Sequence, residues 1–245
     1  MTGMLASVNS LTEALLVLNA DVDIIDLKQP ALGALGALDI AIVKQIVAGI
    51  DGRCPVSATI GDLPMMPDPV FNAVKAMAET GVDYIKIGFF PGDDWQGTVK
   101  KLSVLTGQNI ALIAVLFADT QPDLTVMSLL KDAGFTGVML DTINKQKGSL
   151  TQLMAKMEIE QFVTQAKAWQ LLCGLAGSLR LEDIPGLMLY RPDYLGFRGA
   201  LCQEHNRVGQ LNKQAVIKIK QAIINTKATR KKYPFHNCHR FTDYK

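Results

Sequence analysis

Histidine and paired cysteine, the usual material of metal centres and disulfide frameworks, are scarce in this chain. The three histidines fall at 205, 236 and 239, too late for a histidine acid-base or zinc mechanism built on the earlier strands. Cys54, Cys173, Cys202 and Cys238 are far apart and form no Cys-x-x-Cys pair, which reads as reduced, mostly buried thiols. The segment FHNCH at 235–239 sits in a basic stretch with no strand partner, so no metal site is expected there. No apolar run approaches the ~18 residues of a membrane span. The apolar N-terminal region has no basic segment ahead of it and contains Glu13, so it reads as structure rather than a signal peptide, and a cytoplasmic protein is expected. Net charge is only +2, with the basic excess gathered in INTKATRKKYPFHNCHRFTDYK at the C-terminus, so no nucleic-acid footprint follows. No Gly-x-Gly-x-x-Gly follows the first predicted strand, which weakens a dinucleotide-binding fold.

What the chain does have is alternation. Short aliphatic runs recur, each followed by a helix-periodic segment and a turn marked by Gly or Asp. Strands are predicted at Met4 to Val8, Asp23 to Lys28, Val56 to Gly61, Tyr84 to Phe89, Asn109 to Phe117, Gly137 to Thr142, Leu171 to Gly177 and Tyr194 to Gly199. Helices are predicted near 10–20, 39–50, 68–80, 94–106, 123–133, 149–168, 180–190 and 209–225. Eight βα units in 245 residues predict one (β/α)8 TIM barrel of the α/β class, over residues 1–226. Residues 227–245 read as a short basic tail: disordered, an oligomer contact, or a lineage-specific addition.

A weak internal repeat sharpens this. VDIIDLK (22–28), VDYIKIG (82–88) and PDYLGFR (192–198) superpose without gaps, and GVMLD (137–141) can be laid beside them. Lys28, Gly88, Asp141 and Arg198 then become equivalent, with Asp26, Lys86, Met139 and Gly196 two residues earlier. Residues two apart on a strand share a face, and alternate strands of a barrel fill common interior layers. Asp26, Lys28, Lys86 and Asp141 are thus expected inside the barrel near its C-terminal mouth, with Gly88 and Gly196 leaving space beside them.

An inward lysine can form a Schiff base if part of it is the free amine, and burial beside a second cation favours that form. On the residues alone, Lys28 and Lys86 are interchangeable as imine-forming amine and as acid or base. Asp26 and Asp141 are candidates to position ammonium groups or move protons, and Lys145, in the loop after strand six, is a candidate substrate contact. Gly177 and Ser178 after strand seven, with Arg198, Gly199 and Ala200 after strand eight, form a candidate phosphate site, because glycine lets backbone approach an anion closely. Ser57, Thr59 and Asp119 are candidate substrate-lining residues; the alternatives are polar groups satisfied within the barrel and, for Asp119, a cap.

At DIIDLKQP, PVSATIGDLP, DYIKIGFF, MLDT and LAGSL the chain resembles the (5-formylfuran-3-yl)methyl phosphate synthase family, also called 4-(hydroxymethyl)-2-furancarboxaldehyde phosphate synthase, from about residue 4 to about 225. The resemblance implies a lyase that condenses two molecules of glyceraldehyde 3-phosphate to a furan phosphate in methanofuran or methylofuran biosynthesis. It also implies Lys28 as the Schiff-base lysine, Lys86 as proton acceptor, and Asp26, Asp141 and Lys145 as further charged site residues. No cofactor is expected, because the lysine imine is itself an electron sink. The expected partner is a small phosphorylated substrate, and the outer helices permit a homo-oligomer. The rival readings are a class I aldolase or a phosphate-binding barrel isomerase acting on triose phosphates, and a non-catalytic barrel that binds phosphorylated metabolites.

Overall fold

The computed structural model describes residues 2–232 apart from 93 and 109. Eight parallel strands, β1 (Gly3–Val8), β2 (Ile24–Leu27), β3 (Val56–Thr59), β4 (Tyr84–Gly88), β5 (Leu112–Phe117), β6 (Gly137–Asp141), β7 (Leu172–Leu175) and β8 (Tyr194–Phe197), pair in chain order, and β8 closes on β1. Around this (β/α)8 barrel run α1 (Leu11–Leu18), α2 (Ile40–Ile50), α3 (Pro67–Ala78), α4 (Trp95–Thr106), α5 (Val126–Asp132), α6 (Leu150–Leu153), α7 (Lys156–Ala168), α8 (Ile184–Met188) and α9 (Lys213–Lys232).

Strands buried on both faces need apolar residues at every position, which is why these segments read as near-continuous aliphatic runs. Outward side chains such as Ala6, Ile25 and Leu140 pack under the helices in the larger cluster. Inward ones such as Leu5, Ile24, Val115 and Met139 fill the barrel itself.

The internal repeat has a physical cause at the other end of the strands. Asp23, Asp83 and Asp193 each precede an even strand, and each carboxylate accepts the N–H of a residue on the preceding odd strand: Met4 at 2.7 Å, Val56 at 2.7 Å and Cys173 at 2.8 Å. The same aspartates donate their own N–H back to the carbonyls of Met4, Val56 and Cys173. The clamp sets the register of three strand pairs and, through it, which residues reach the mouth.

Two helical segments differ from expectation. The helix predicted over 149–168 is two, because Met154 is extended (φ −129°, ψ 135°) and the Ala155 N–H turns to Glu158 Oε2 at 2.7 Å to start the second. The last helix continues past 226 to Lys232, since nothing in TKATRKK, which has no Gly or Pro, stops it. Residues 227–232 are therefore part of α9 rather than tail, and 233–245, including His236, Cys238 and His239, lie outside the described residues. Cys54, Cys173 and Cys202 are free and buried. Among the described residues no helix is long and apolar enough to cross a membrane, and no group of three or more side chains is placed to hold a metal ion.

Candidate active site

The inward residues of β2, β4 and β6 meet as the alternation predicts. Asp26 is fully buried, and Lys86 from β4 lies 2.7 Å from its Oδ1. The hydroxyls of Ser7 on β1 and Ser57 on β3 each donate to the same carboxylate at 2.7 Å. Burial alone would raise the Asp26 pKa, but the Lys86 and Lys28 ammonium groups and the hydrogen bonds from Lys86 and Ser57 hold it below the ordinary value. One layer up, Asp141 is ion-paired with Lys145, one turn further along the β6–α6 loop. The Lys145 ammonium also donates to the Thr142 carbonyl, and the Asp141 carboxylate accepts the Thr142 N–H at 2.7 Å. Burial opposes ionisation of Asp141, yet Lys145 and Lys28 bring its pKa down to about 2.

Lys28 follows directly on β2, is 6% exposed, and forms no ion pair closer than 4 Å among the described residues. Burial is the largest influence on it and lowers its pKa. Asp141 raises it, Lys145 and Lys86 lower it, Asp26 raises it, and the result is about 8. At pH 7 about a tenth of such an amine is neutral, against well under a thousandth of an ordinary lysine. The structure thus separates the two lysines that the sequence pattern left equivalent: Lys86 is locked to a carboxylate, whereas Lys28 is a buried amine with a depressed proton affinity.

Ser7, Lys28, Lys86, Asp141 and Lys145 line one open cleft at the barrel mouth. Its floor is apolar, with Leu5, Ile113, Met139 and Gly174 below Lys86. The loop after β2 folds over the inward residues at the mouth. Leu35 in that loop is fully buried among the inward residues with Phe117, and Phe90 stacks on Phe117 at a centroid distance of 4.6 Å. The open side faces the loops after β6, β7 and β8.

Several expected roles change. Arg198 is buried, but its guanidinium turns toward α1. It pairs with Glu13 through Nη1 at 2.5 Å and Nη2 at 3.3 Å, and its other three N–H groups go to the carbonyls of Ser7, Arg207 and Gly209. All five donors are committed, so it has none left for a phosphate. Thr59 is fully buried and donates to the carbonyls of Gly36 and Leu27, so it ties down the loop after β2 instead of lining the cleft. Ser57 spends its hydroxyl on Asp26. Asp119 accepts the N–H groups of Ile143 and Asn144 at 2.9 and 2.8 Å and so pins the loop that carries Lys145. The space expected beside Gly88 is filled by Phe90 and Leu35, and that beside Gly196 by Met139.

Gly177, Ser178 and Gly199 do line the cleft, and Ala200 is buried next to them. Gly177 has a φ of +104°, and a Cβ there would lie 2.8 Å from Thr142, so the turn requires glycine. Sequence reasoning missed Arg180 and Arg207, which also face the cleft. Arg180 Nη1 is buried without a hydrogen-bond partner, a costly condition for a charged donor that an anionic ligand would relieve. The one available signal was its place two residues beyond the Gly-Ser turn. Arg207 lies in QEHNRVGQ, between β8 and α9, where no periodicity points inward.

Comparison with known proteins agrees with this architecture. The 4-HFC-P synthase family matches residues 4–220. A relative from Methylorubrum extorquens is 40% identical over 220 residues, covering 90% of this chain and 91% of its own. The (5-formylfuran-3-yl)methyl phosphate synthase of Methanococcus maripaludis strain C5 is 33% identical, covering 88% of this chain and 97% of its own. That of Methanocaldococcus jannaschii is 31% identical, covering 89% and 98%. Among solved structures, 3-hexulose-6-phosphate synthase from Salmonella typhimurium superposes with a TM-score of 0.68 at 16% identity, covering 92% of this chain and all of the other, which speaks to the fold alone. With a family match over most of its length and relatives above 30% identity across nearly their whole chains, this protein belongs to the 4-HFC-P synthase family.

Proposed function

We propose that the protein condenses two molecules of glyceraldehyde 3-phosphate into (5-formylfuran-3-yl)methyl phosphate through a Schiff base on Lys28. The observation that carries this reading is the buried Lys28 amine, its pKa lowered to about 8, in one cleft with the Lys86–Asp26 pair. The Lys28 Nζ lone pair adds to the aldehyde carbon of one triose. The Lys86 ammonium gives a proton to the departing hydroxyl, which leaves as water, and the iminium forms. Neutral Lys86 then takes the proton from the adjacent carbon, and those electrons collapse into the iminium to give an enamine. Asp26, anchored by Ser7 and Ser57, stabilises the ammonium that Lys86 becomes.

Phosphate leaves from C3 of this enamine, and the enol that remains bonds through C3 to the carbonyl carbon of the second triose in its ketone form. The terminal hydroxyl of that second triose closes the ring on C2 of the first, two waters leave to complete the furan, and hydrolysis of the imine frees the formyl group and Lys28. Two glyceraldehyde 3-phosphates balance one furan phosphate, one inorganic phosphate and two waters, so the protein acts as a lyase with no net oxidation. Asp141 offsets the positive charge of the forming iminium, and Lys145, paired with it, holds that carboxylate in place. Gly177, Ser178, Gly199 and Ala200, together with Arg180, seat one phosphate. The test is incubation of the purified protein with glyceraldehyde 3-phosphate alone. A product with the mass and ultraviolet absorbance of the furan phosphate is expected, and recovery of triose phosphates or hexose products only would refute the reading.

A further inference from the structure

A reaction that joins two phosphorylated molecules must hold two dianions that repel each other, so it needs two separate cationic seats. Within the cleft, Lys86 is neutralised by Asp26, Lys145 by Asp141, and Arg198 by Glu13. Among the described residues this leaves three cleft-facing cations without an ion pair: Lys28, Arg180 and Arg207. Lys28 is the imine-forming amine. Two arginines remain for two phosphates.

The arginines start together and end apart. A Cβ on Gly199 would lie 3.7 Å from Arg180 Nη1 and 3.9 Å from Arg207 Cβ, so the Arg180 head and the Arg207 root share one place above β8. The Arg207 side chain leaves that place, and its Nη2 donates to the Gly33 carbonyl at 2.9 Å. Gly33 is five residues beyond Lys28, so the Arg207 guanidinium is tied to the loop after β2.

The strap that carries Arg207 is built to hold it there. Residues 203–212 run over the mouth between β8 and α9, and Glu204 and His205 both take left-handed φ values of 50° and 58° along the way. Arg198 donates to the Arg207 carbonyl at 2.8 Å and to that of Gly209 at 2.8 Å, and Glu13 accepts the Leu211 N–H at 3.2 Å. A buried ion pair is a costly anchor for a surface loop unless the loop must place a side chain accurately.

We propose that Arg207 seats the phosphate of the second substrate molecule, beside the loop after β2, with a first seat made by Arg180 and the Gly177–Ser178 turn. This rests on the two-triose reading given above. The two steps are separable in experiment, because the Lys28 imine needs one triose and the furan needs two. Arg207→Gln and Arg207→Lys variants would be incubated with glyceraldehyde 3-phosphate, and both the borohydride-trapped adduct on Lys28 and the rate of furan formation measured.

The expected result for Arg207→Gln is an adduct yield within about twofold of wild type and furan formation reduced at least about tenfold with a raised KM, the loss of one charge-assisted contact. Arg207→Lys should recover part of the rate. Furan formation within about threefold of wild type in Arg207→Gln would overturn the assignment. A parallel fall of adduct and furan would also overturn it, since Arg207 would then serve the first molecule or the scaffold. Wild-type protein that gives neither adduct nor furan removes the two-triose reading itself, and the second seat with it.

Discussion

Lys28→Met and Lys86→Met should change stability in opposite directions, although both remove a buried lysine from the same cleft. The pKa of Lys28 falls from 10.5 to about 8 on folding, so its ammonium form is less favourable in the native state than in the unfolded chain. At about 1.4 kcal/mol per unit, this costs the fold about 3 kcal/mol at neutral pH. Methionine fills a similar volume and carries no charge, so it relieves that cost, less what Asp141 and Asp26 lose in a favourable neighbour; a net gain of about 1–2 kcal/mol is expected. Lys86 is the opposite case. Its removal leaves Asp26, fully buried, with only the Ser7 and Ser57 hydroxyls and the more distant Lys28, and stranding one member of a buried pair costs about 3–5 kcal/mol.

Urea unfolding followed by far-ultraviolet circular dichroism would compare the midpoints. Because the native pKa of Lys28 lies below its unfolded value, the unfolded chain binds the extra proton between about pH 8 and 10.5. The gain from Lys28→Met is therefore complete below pH 8 and fades toward pH 10.5. Equal destabilisation by the two substitutions, or a Lys28→Met effect that does not vary over that pH window, would refute the charge arrangement deduced for the cleft.

Three further outcomes follow from the same contacts. The rate of Lys28 adduct formation should rise about tenfold per pH unit below 8 and level off above it, tracking the neutral amine; a flat profile from pH 6 to 8 would mean that the amine is not the titrating group. Arg198→Met and Glu13→Leu should each cost about 3 kcal/mol, but the double variant should cost far less than their sum, because each single change strands a buried charge; additive effects measured by urea unfolding would show that the two are not coupled. Asp119→Ala should speed hydrogen exchange at the Ile143 and Asn144 amides and lower the rate of furan formation severalfold through a looser Lys145; unchanged exchange would remove its role as the pin of that loop.

The fold and the charged layers were legible because both depend on local periodicity. Strand alternation placed Asp26, Lys28, Lys86 and Asp141 on the inner face, and the repeated aspartates at 23, 83 and 193 reported the register that keeps them level. What stayed hidden depends on contacts between distant loops. Arg198 shares the register of Lys28 and Asp141, yet its direction is decided by Glu13, 185 residues away in sequence. Thr59 and Asp119 look like cleft residues by position, but each is spent on the backbone of a neighbouring loop, which no strand pattern encodes. Arg180 and Arg207 come from irregular segments where direction follows from turns with positive φ rather than from a period. The helix break at Met154 escaped for a similar reason, since the side chain of Glu158 captures the backbone there and the hydrophobic pattern runs on unbroken.

The central claim is that one particular amine, Lys28, takes up the substrate carbonyl. Incubation with glyceraldehyde 3-phosphate, reduction with borohydride and peptide mass mapping test it directly. The account predicts a single reduced adduct on the peptide containing Lys28, absent from Lys28→Met. An adduct on Lys86 or Lys145 instead, or furan phosphate formed at the normal rate by Lys28→Met, would contradict it.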